Sequence, residues 1–381
     1  MNDKRIFLSL AHEVGCEMKY IREALSSNWI TSGGPNVDAF EKDLENHLRN
    51  EVHVCALNSG TSAIHLALIL LGVQVGDEVL CQSMTFSASA NPILYQGAIP
   101  VFIDSENETW NLCPIALEEA IIDRIAKGKT PKAIIAVHLY GVPYKIDEVR
   151  TVADKYGIPI LEDSAEALGS SYKGQKCSTF GDVGVLSFNG NKIITTSGGG
   201  ALVTPTAVMK DKAVFYATQS RDNAPHCQHS EIGYNYRMSN ICAGIGRGQM
   251  EVLDDHVALR RKMNAFYVGL FKDIAAVTVF TAPNDDYFSN YWLSAIVVES
   301  NQEKGIDREV LRLAFEAANI ESRPLWKPMH LQPVFEKYPY YGGKVAETLF
   351  ENGLCLPSGS NLTDIERERI KQVVYSFFKK E

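Results

Sequence analysis

The 381-residue chain has no apolar stretch long enough to cross a bilayer. Its longest, Ala67–Val73, carries a glycine near its end and falls far short of the roughly 20 residues that a spanning helix needs. It also lacks an excess of positive charge. Lys plus Arg number 37 against 46 Asp plus Glu, a net charge of −9. That argues against nucleic acid as the main partner, while leaving room for one local basic pocket. None of the eight cysteines stands in a C-x-x-C pair. Most, such as Cys55 in Val-His-Val-Cys-Ala-Leu and Cys81 in Val-Leu-Cys, sit in apolar strings and read as reduced core thiols. His226-Cys227-Gln228-His229 is the one passable metal cluster, but its spacing fits no usual zinc pattern and reads as a polar loop. No metal is expected. A Walker loop and a G-x-G-x-x-G fingerprint are both missing, and Gly244–Gly248 has no strand before it and reads as close helix packing. Repeats and low-complexity segments are absent. Near the start, Ile6–Leu10 is too short for a signal segment and is interrupted by His12 and Glu13, so a cytoplasmic location is expected.

What is present is ordinary globular composition, 45% hydrophobic and 22% charged, in a chain long enough to bury a large core without staples. Short runs rich in Val, Ile and Leu alternate with helical patterns: Val52–Leu57, Glu78–Gln82, Pro100–Asp104, Ala133–His138, Ile158–Glu162, Val183–Phe188 and Gly200–Thr204 read as strands. Ser62–Leu71, Pro114–Ala126 and Ile146–Tyr156 read as helices. Strands without clean alternation, separated by helices, predict a mainly parallel α/β sheet. From about Met250 the texture changes to a charged helix (Glu251–Leu270), a strand-rich stretch (Val277–Val298) and helices Asp307–Ala318 and Asp364–Phe378. The expected division is therefore a large α/β domain over 1–250, with the N-terminal segment, and a smaller α+β domain over 251–381.

Three features fall at expected strand ends, where open α/β sheets place ligands. Asn58-Ser59-Gly60-Thr61-Ser62 precedes an apolar helix. Small residues let the backbone close on an anion there, hydroxyls can donate, and the helix N-terminus favours negative charge; a plain N-cap is the simpler alternative. Ile160-Leu161-Glu162-Asp163-Ser164-Ala165-Glu166 places carboxylates after an apolar run, where burial without partners is costly. They suit a cationic heterocycle nitrogen, acid–base work or magnesium, or a solvated loop with Asp163 as a cap. The third is Lys192, a lone lysine after a buried strand, set among small residues up to Gly200. Desolvation of that kind is what a Schiff-base amine requires. An amine, a carboxylate and an anion cradle together suggest pyridoxal phosphate.

The string Ser187–Gly200, with Asn58–Ile64, Met84–Phe86, Glu162–Gly169, Gly233–Ser239 and Arg323–His330 in the same order, resembles the DegT/DnrJ/EryC1/StrS sugar aminotransferases. The resemblance runs from about Leu8 to Pro357 and implies fold type I with pyridoxal 5'-phosphate as cofactor. It implies that Lys192 is the Schiff-base and acid–base lysine and that Asp163 pairs with the pyridine nitrogen. Phe86 would stack on the ring, Gly60, Thr61 and Ser187 would bind the phosphate, and Asn235 would reach it from the other subunit of a homodimer. Glu166 stands where relatives often carry Gln or His near the ring hydroxyl. Trp326, Lys327 and His330, with Arg237 and Tyr236 nearby, would line a nucleotide-sugar cleft. The implied reaction is transfer of an amino group from L-glutamate to a nucleotide-linked 4-keto-6-deoxy sugar. The wording is most similar to enzymes acting on UDP-linked N-acetylhexosamine derivatives; a dTDP- or GDP-linked (perosamine-type) sugar is the alternative. A non-catalytic sugar-nucleotide binder on the same fold is a further alternative, and the family's dehydratase branch, with histidine in place of the lysine, is disfavoured by Lys192.

Overall fold

The structure, a computed structural model, describes residues 4–49, 51–301 and 305–378. Its main sheet has eight strands in the order His53–Leu57, Gly200–Thr204, Val183–Ser187, Ile160–Asp163, Ala133–Val137, Glu78–Gln82, Ile99–Ile103, Tyr340–Tyr341. Their Val, Ile, Leu and Ala side chains are buried, as expected of strands covered on both faces. Pairing is parallel from Val183–Ser187 through to Tyr340–Tyr341. Gly200–Thr204 runs against both of its neighbours. Those neighbours therefore point the same way, and the carboxyl ends of His53–Leu57, Val183–Ser187 and Ile160–Asp163 share one edge. In register, Gly200 pairs with both Leu57 and Ser187, while Asp163 pairs with Val137 and Val185.

Helices start where the sequence gives them caps. Ser59 accepts the Ser62 N–H at 3.1 Å, so the helix expected from Ser62 begins at Gly60 and runs to Leu70. Pro114 opens Pro114–Ala126, where a missing N–H costs nothing. Gly246 and Gly248 in helix Asn240–Met250 lie against Phe40 and Glu17, where a Cβ would collide. That is the close packing read from the sequence.

The last third builds a second, antiparallel sheet in the order Val277–Val279, Ser294–Val298, Gly353–Leu356, Arg323–Pro324. Helices Leu253–Phe271, Arg308–Ala317 and Asp364–Phe378 cover it around Tyr267, Phe271, Leu311, Phe315, Ile370 and Val374. Two segments cross between the parts. Ile6 pairs with Ile320 and is buried in this core, and Tyr340–Tyr341 leaves it to extend the main sheet beside Ile99–Ile103.

Candidate active site

A cavity of about 560 Å³ opens at the shared carboxyl edge, lined by the first turn Asn58–Thr61, Phe86, Asp163, Glu166, Ser187, Lys192, Trp292 and Trp326, among others. One wall is the first turn of the helix Gly60–Leu70. The N–H groups of Gly60 and Thr61 lie in a first helical turn, where no intrahelical acceptor reaches them. A Cβ at Gly60 would come within 3.0 Å of Ser187 Cβ, and one at Gly200 would strike the backbone of Ser59 and Gly60. Space before the helix exists because both residues lack side chains.

Asp163 ends its strand with a buried side chain that accepts the Ala165 N–H at 3.1 Å and the Ser89 hydroxyl at 2.6 Å. Ser89 spends its one proton on Asp163, so the Thr85 hydroxyl 2.7 Å away donates to Ser89. The anion is thereby fixed in place from the neighbouring helix.

Lys192 sits in a loop closed by Phe188 N–H on the Gly199 carbonyl (2.8 Å) and Thr196 N–H on the Phe188 carbonyl (2.9 Å). Its Nζ lies 3.3 Å from Glu166 Oε1 and 4.2 Å from the centre of the Trp292 ring. Beneath the loop, fully buried Arg260 donates to the carbonyls of Trp292 (2.6 Å) and Lys192 (3.3 Å) and to the Ser9 hydroxyl (3.0 Å). Burial pulls its pKa down to about 9. The other Glu166 oxygen accepts the Tyr140 N–H at 2.8 Å. Burial pushes the Glu166 carboxyl up to about 7, against the opposing pull of Lys192 and the Tyr140 N–H.

Glu162 points away from the cavity. It accepts from the His138 ring (2.7 Å) and from the N–H groups of Ser178 (2.5 Å), Phe180 and Gly181 (both 2.8 Å). Burial favours its neutral form, but the His138 ring and these N–H groups outweigh that and hold the carboxyl below its ordinary value. With Cys177 these residues form a buried His–Glu–Cys group, in which the carboxylate oxygens are already committed to protein donors.

Not every expected residue reaches the cavity of its own chain. Arg237 pairs with buried Glu41 and donates to the Ala56 carbonyl at 3.1 Å, outside the lining of its own chain's cavity. His330 also lies outside that lining. It stacks on Tyr340 at 3.7 Å and its Nδ1 lies 2.7 Å from Ser83 Oγ, because the strand Tyr340–Tyr341 brings that ring alongside. Lys327 lies outside the lining, next to the turn Met329–Leu331. Tyr236 stacks on Tyr234 at 5.0 Å. Asn235 is not in its own chain's lining; its carbonyl accepts from Asn58 Nδ2 at 3.2 Å. Phe86 and Trp326 do line the cavity, with ring centres 5.6 Å apart. Sequence reasoning missed Ser89, Trp292 and Arg260. Ser89 stands three residues past the Met84–Phe86 string and Trp292 is one of four tryptophans, signals too general to single them out.

A model of the DegT/DnrJ/EryC1/StrS aminotransferase family matches residues 12–377. The chain belongs to this family. Over 379 residues it is 50% identical to the EpsN protein of Bacillus subtilis (strain 168), covering 98% of this chain and 96% of that one. It is 37% identical to GDP-perosamine synthase of Escherichia coli O157:H7, covering 95% and 93%. Among solved structures, the PLP-form of Spr1654 from Streptococcus pneumoniae superposes with a TM-score of 0.89 at 26% identity, covering 99% of each chain. As a DegT-family member the chain is a pyridoxal phosphate-dependent sugar aminotransferase of fold type I. The residues present fit that cofactor: unpartnered first-turn N–H groups in a cradle that side chains at 60 or 200 would fill, a fixed buried carboxylate and a lysine amine in the same cavity. Among the described residues, no helix is long and apolar enough to cross a membrane.

Proposed function

We propose that the chain moves the amino group of L-glutamate to C4 of a UDP-linked 4-keto-6-deoxy-N-acetylhexosamine, making the 4-amino sugar for a surface polysaccharide. The observation that carries this reading is the presence of Lys192, Asp163 and the Gly60–Thr61 turn on one cavity. When bound, pyridoxal phosphate supplies an electron sink for the carbon that loses its proton. Lys192 holds the cofactor aldehyde and, once free, carries the proton from the donor's Cα. Asp163, held by Ser89 and Ala165, keeps the ring nitrogen protonated. Gly60, Thr61 and Ser187 take the phosphate, and Phe86 covers the ring face. Trp326 forms part of the sugar side of the cleft.

Asn235 completes the phosphate site of a second copy, so the working unit is a homodimer in the cytoplasm. In support, the chain exposes Leu25, Trp29, Ile30 and Ile232, apolar surface that a second copy would cover. A GDP-linked acceptor is the second reading, favoured by the likeness to GDP-perosamine synthases of three organisms. The test is to incubate the enzyme with glutamate and a panel of UDP-, GDP- and dTDP-4-keto-6-deoxy sugars and analyse products by mass spectrometry. Amination of the UDP sugar with release of 2-oxoglutarate is expected; amination of the GDP or dTDP sugar alone overturns the UDP assignment.

A further inference from the structure

We propose that Glu166 is the proton acceptor for Lys192: the carboxylate that pairs with the lysine ammonium in the empty enzyme becomes a neutral acid once that lysine holds an aldehyde. The proposal rests on the reading of Lys192 as the cofactor lysine. The step balances. The ammonium carries three protons; one passes first to the carboxylate 3.3 Å away, which frees the lone pair that forms the carbon–nitrogen bond, and the other two leave with the carbonyl oxygen as water.

The geometry gives that proton one short path. Nζ of Lys192 has Glu166 on one side and the Trp292 ring on the other, and an aromatic face attracts the cation but takes up no proton. Glu166 is 3% exposed, and its second oxygen is held by the Tyr140 N–H. The groups facing it are Lys192 from the loop, Asp163 from its own strand end, the Tyr140 phenol from the turn 139–141, and the Cys355 thiol from Gly353–Leu356. Burial pushes the Tyr140 phenol well above its ordinary value and the Cys355 thiol up to about 12, so neither competes near neutral pH. Asp163 is fixed by Ser89 and the Ala165 N–H, and its charge favours a proton on Glu166. Lys192 is the one cation in hydrogen-bond contact with Glu166 among the described residues. When its charge goes, Glu166 is left with the Tyr140 N–H as its one fixed donor, too little to keep a buried carboxylate charged.

Difference infrared spectroscopy of the chain before and after addition of pyridoxal 5'-phosphate, at about pH 8 where the wild-type Glu166 starts charged, tests this. The wild type should lose a carboxylate band and gain a carboxylic-acid C=O stretch, and Glu166→Gln should lose both changes. Without cofactor, Lys192→Ala should already show the carboxylic-acid band, with a midpoint above that of the wild type. The proposal is overturned if loading leaves the carboxylate bands unchanged, if the acid band persists in Glu166→Gln, or if Lys192→Ala leaves the cofactor-free titration unmoved. Should Glu166→Gln not fold, the Lys192→Ala comparison decides alone. Failure of the underlying reading looks different: borohydride reduction would still fix the cofactor covalently to Lys192→Ala.

Discussion

Glu162 and Glu166 stand four positions apart at one strand end, both buried, and their environments treat them in opposite ways. Fixed donors surround Glu162: three backbone N–H groups of the Ser178–Gly181 turn, and the His138 ring, which the Tyr144 N–H on its Nδ1 (3.4 Å) leaves donating through Nε2. That carboxylate stays charged. Glu166 has one fixed donor, the Tyr140 N–H, and one carried on a flexible side chain, the Lys192 amine. Depth of burial is the same, so the difference comes from how many donors are built into the backbone. A carboxylate held by the main chain keeps its donors; one held by a side-chain amine keeps its charge only while that amine keeps its own.

The contrast can be broken by experiment, and the largest effect belongs to the exchangeable partner. Lys192→Ala should cut transamination by at least about 10⁴-fold and abolish the visible absorbance of the purified enzyme, yet leave the melting temperature near that of the cofactor-free wild type. A large loss of stability there would erase the distinction between the two glutamates. Next comes Glu162→Gln, which leaves its ring of N–H donors around a neutral amide. We expect a loss of about 3–5 kcal/mol in denaturant unfolding, and comparable damage from His138→Ala.

A smaller effect sharpens the comparison through pH. The Glu166 carboxyl lies at about 7 in the fold against an ordinary 4.5, so between those values the native state binds more protons than the unfolded chain. Stability from this group is complete below about 4.5 and is lost as pH rises toward 7, on the order of 3 kcal/mol by linkage. Unfolding of the cofactor-free wild type and Glu166→Gln across that range should therefore converge at low pH and separate at neutral pH, with the variant the more stable. Parallel curves would show that Glu166 stays charged as Glu162 does.

The main sheet was legible because its strands are unbroken apolar runs: Glu78–Gln82 and Gly200–Thr204 have the ends that the sequence implied, and the others shift by a residue or two. Tyr340–Tyr341 was not, since two residues carry no periodicity and their partner lies far earlier in the chain. At the site, Lys192 and Asp163 stood out as polar residues closing apolar runs, and the cavity brings them together. Arg237, His330 and Lys327 lie outside the lining of their own chain's cavity. Arg237 is engaged by Glu41, 196 residues earlier, and His330 by Ser83, 247 residues earlier. No local pattern encodes such partners. Glu162 and Glu166 were equally opaque, because the turn donors that separate them come from residues 178–181 and from Tyr140.

The pairing of Gly200 with Leu57 and Ser187 carries a consequence for assembly of the site. Were the antiparallel strand to slip by a single position, Ala201 would take the glycine's place and its methyl would plug the approach to the Gly60 turn. Free space at that turn thus serves as a gauge of strand alignment, and a misaligned molecule would have the turn sealed.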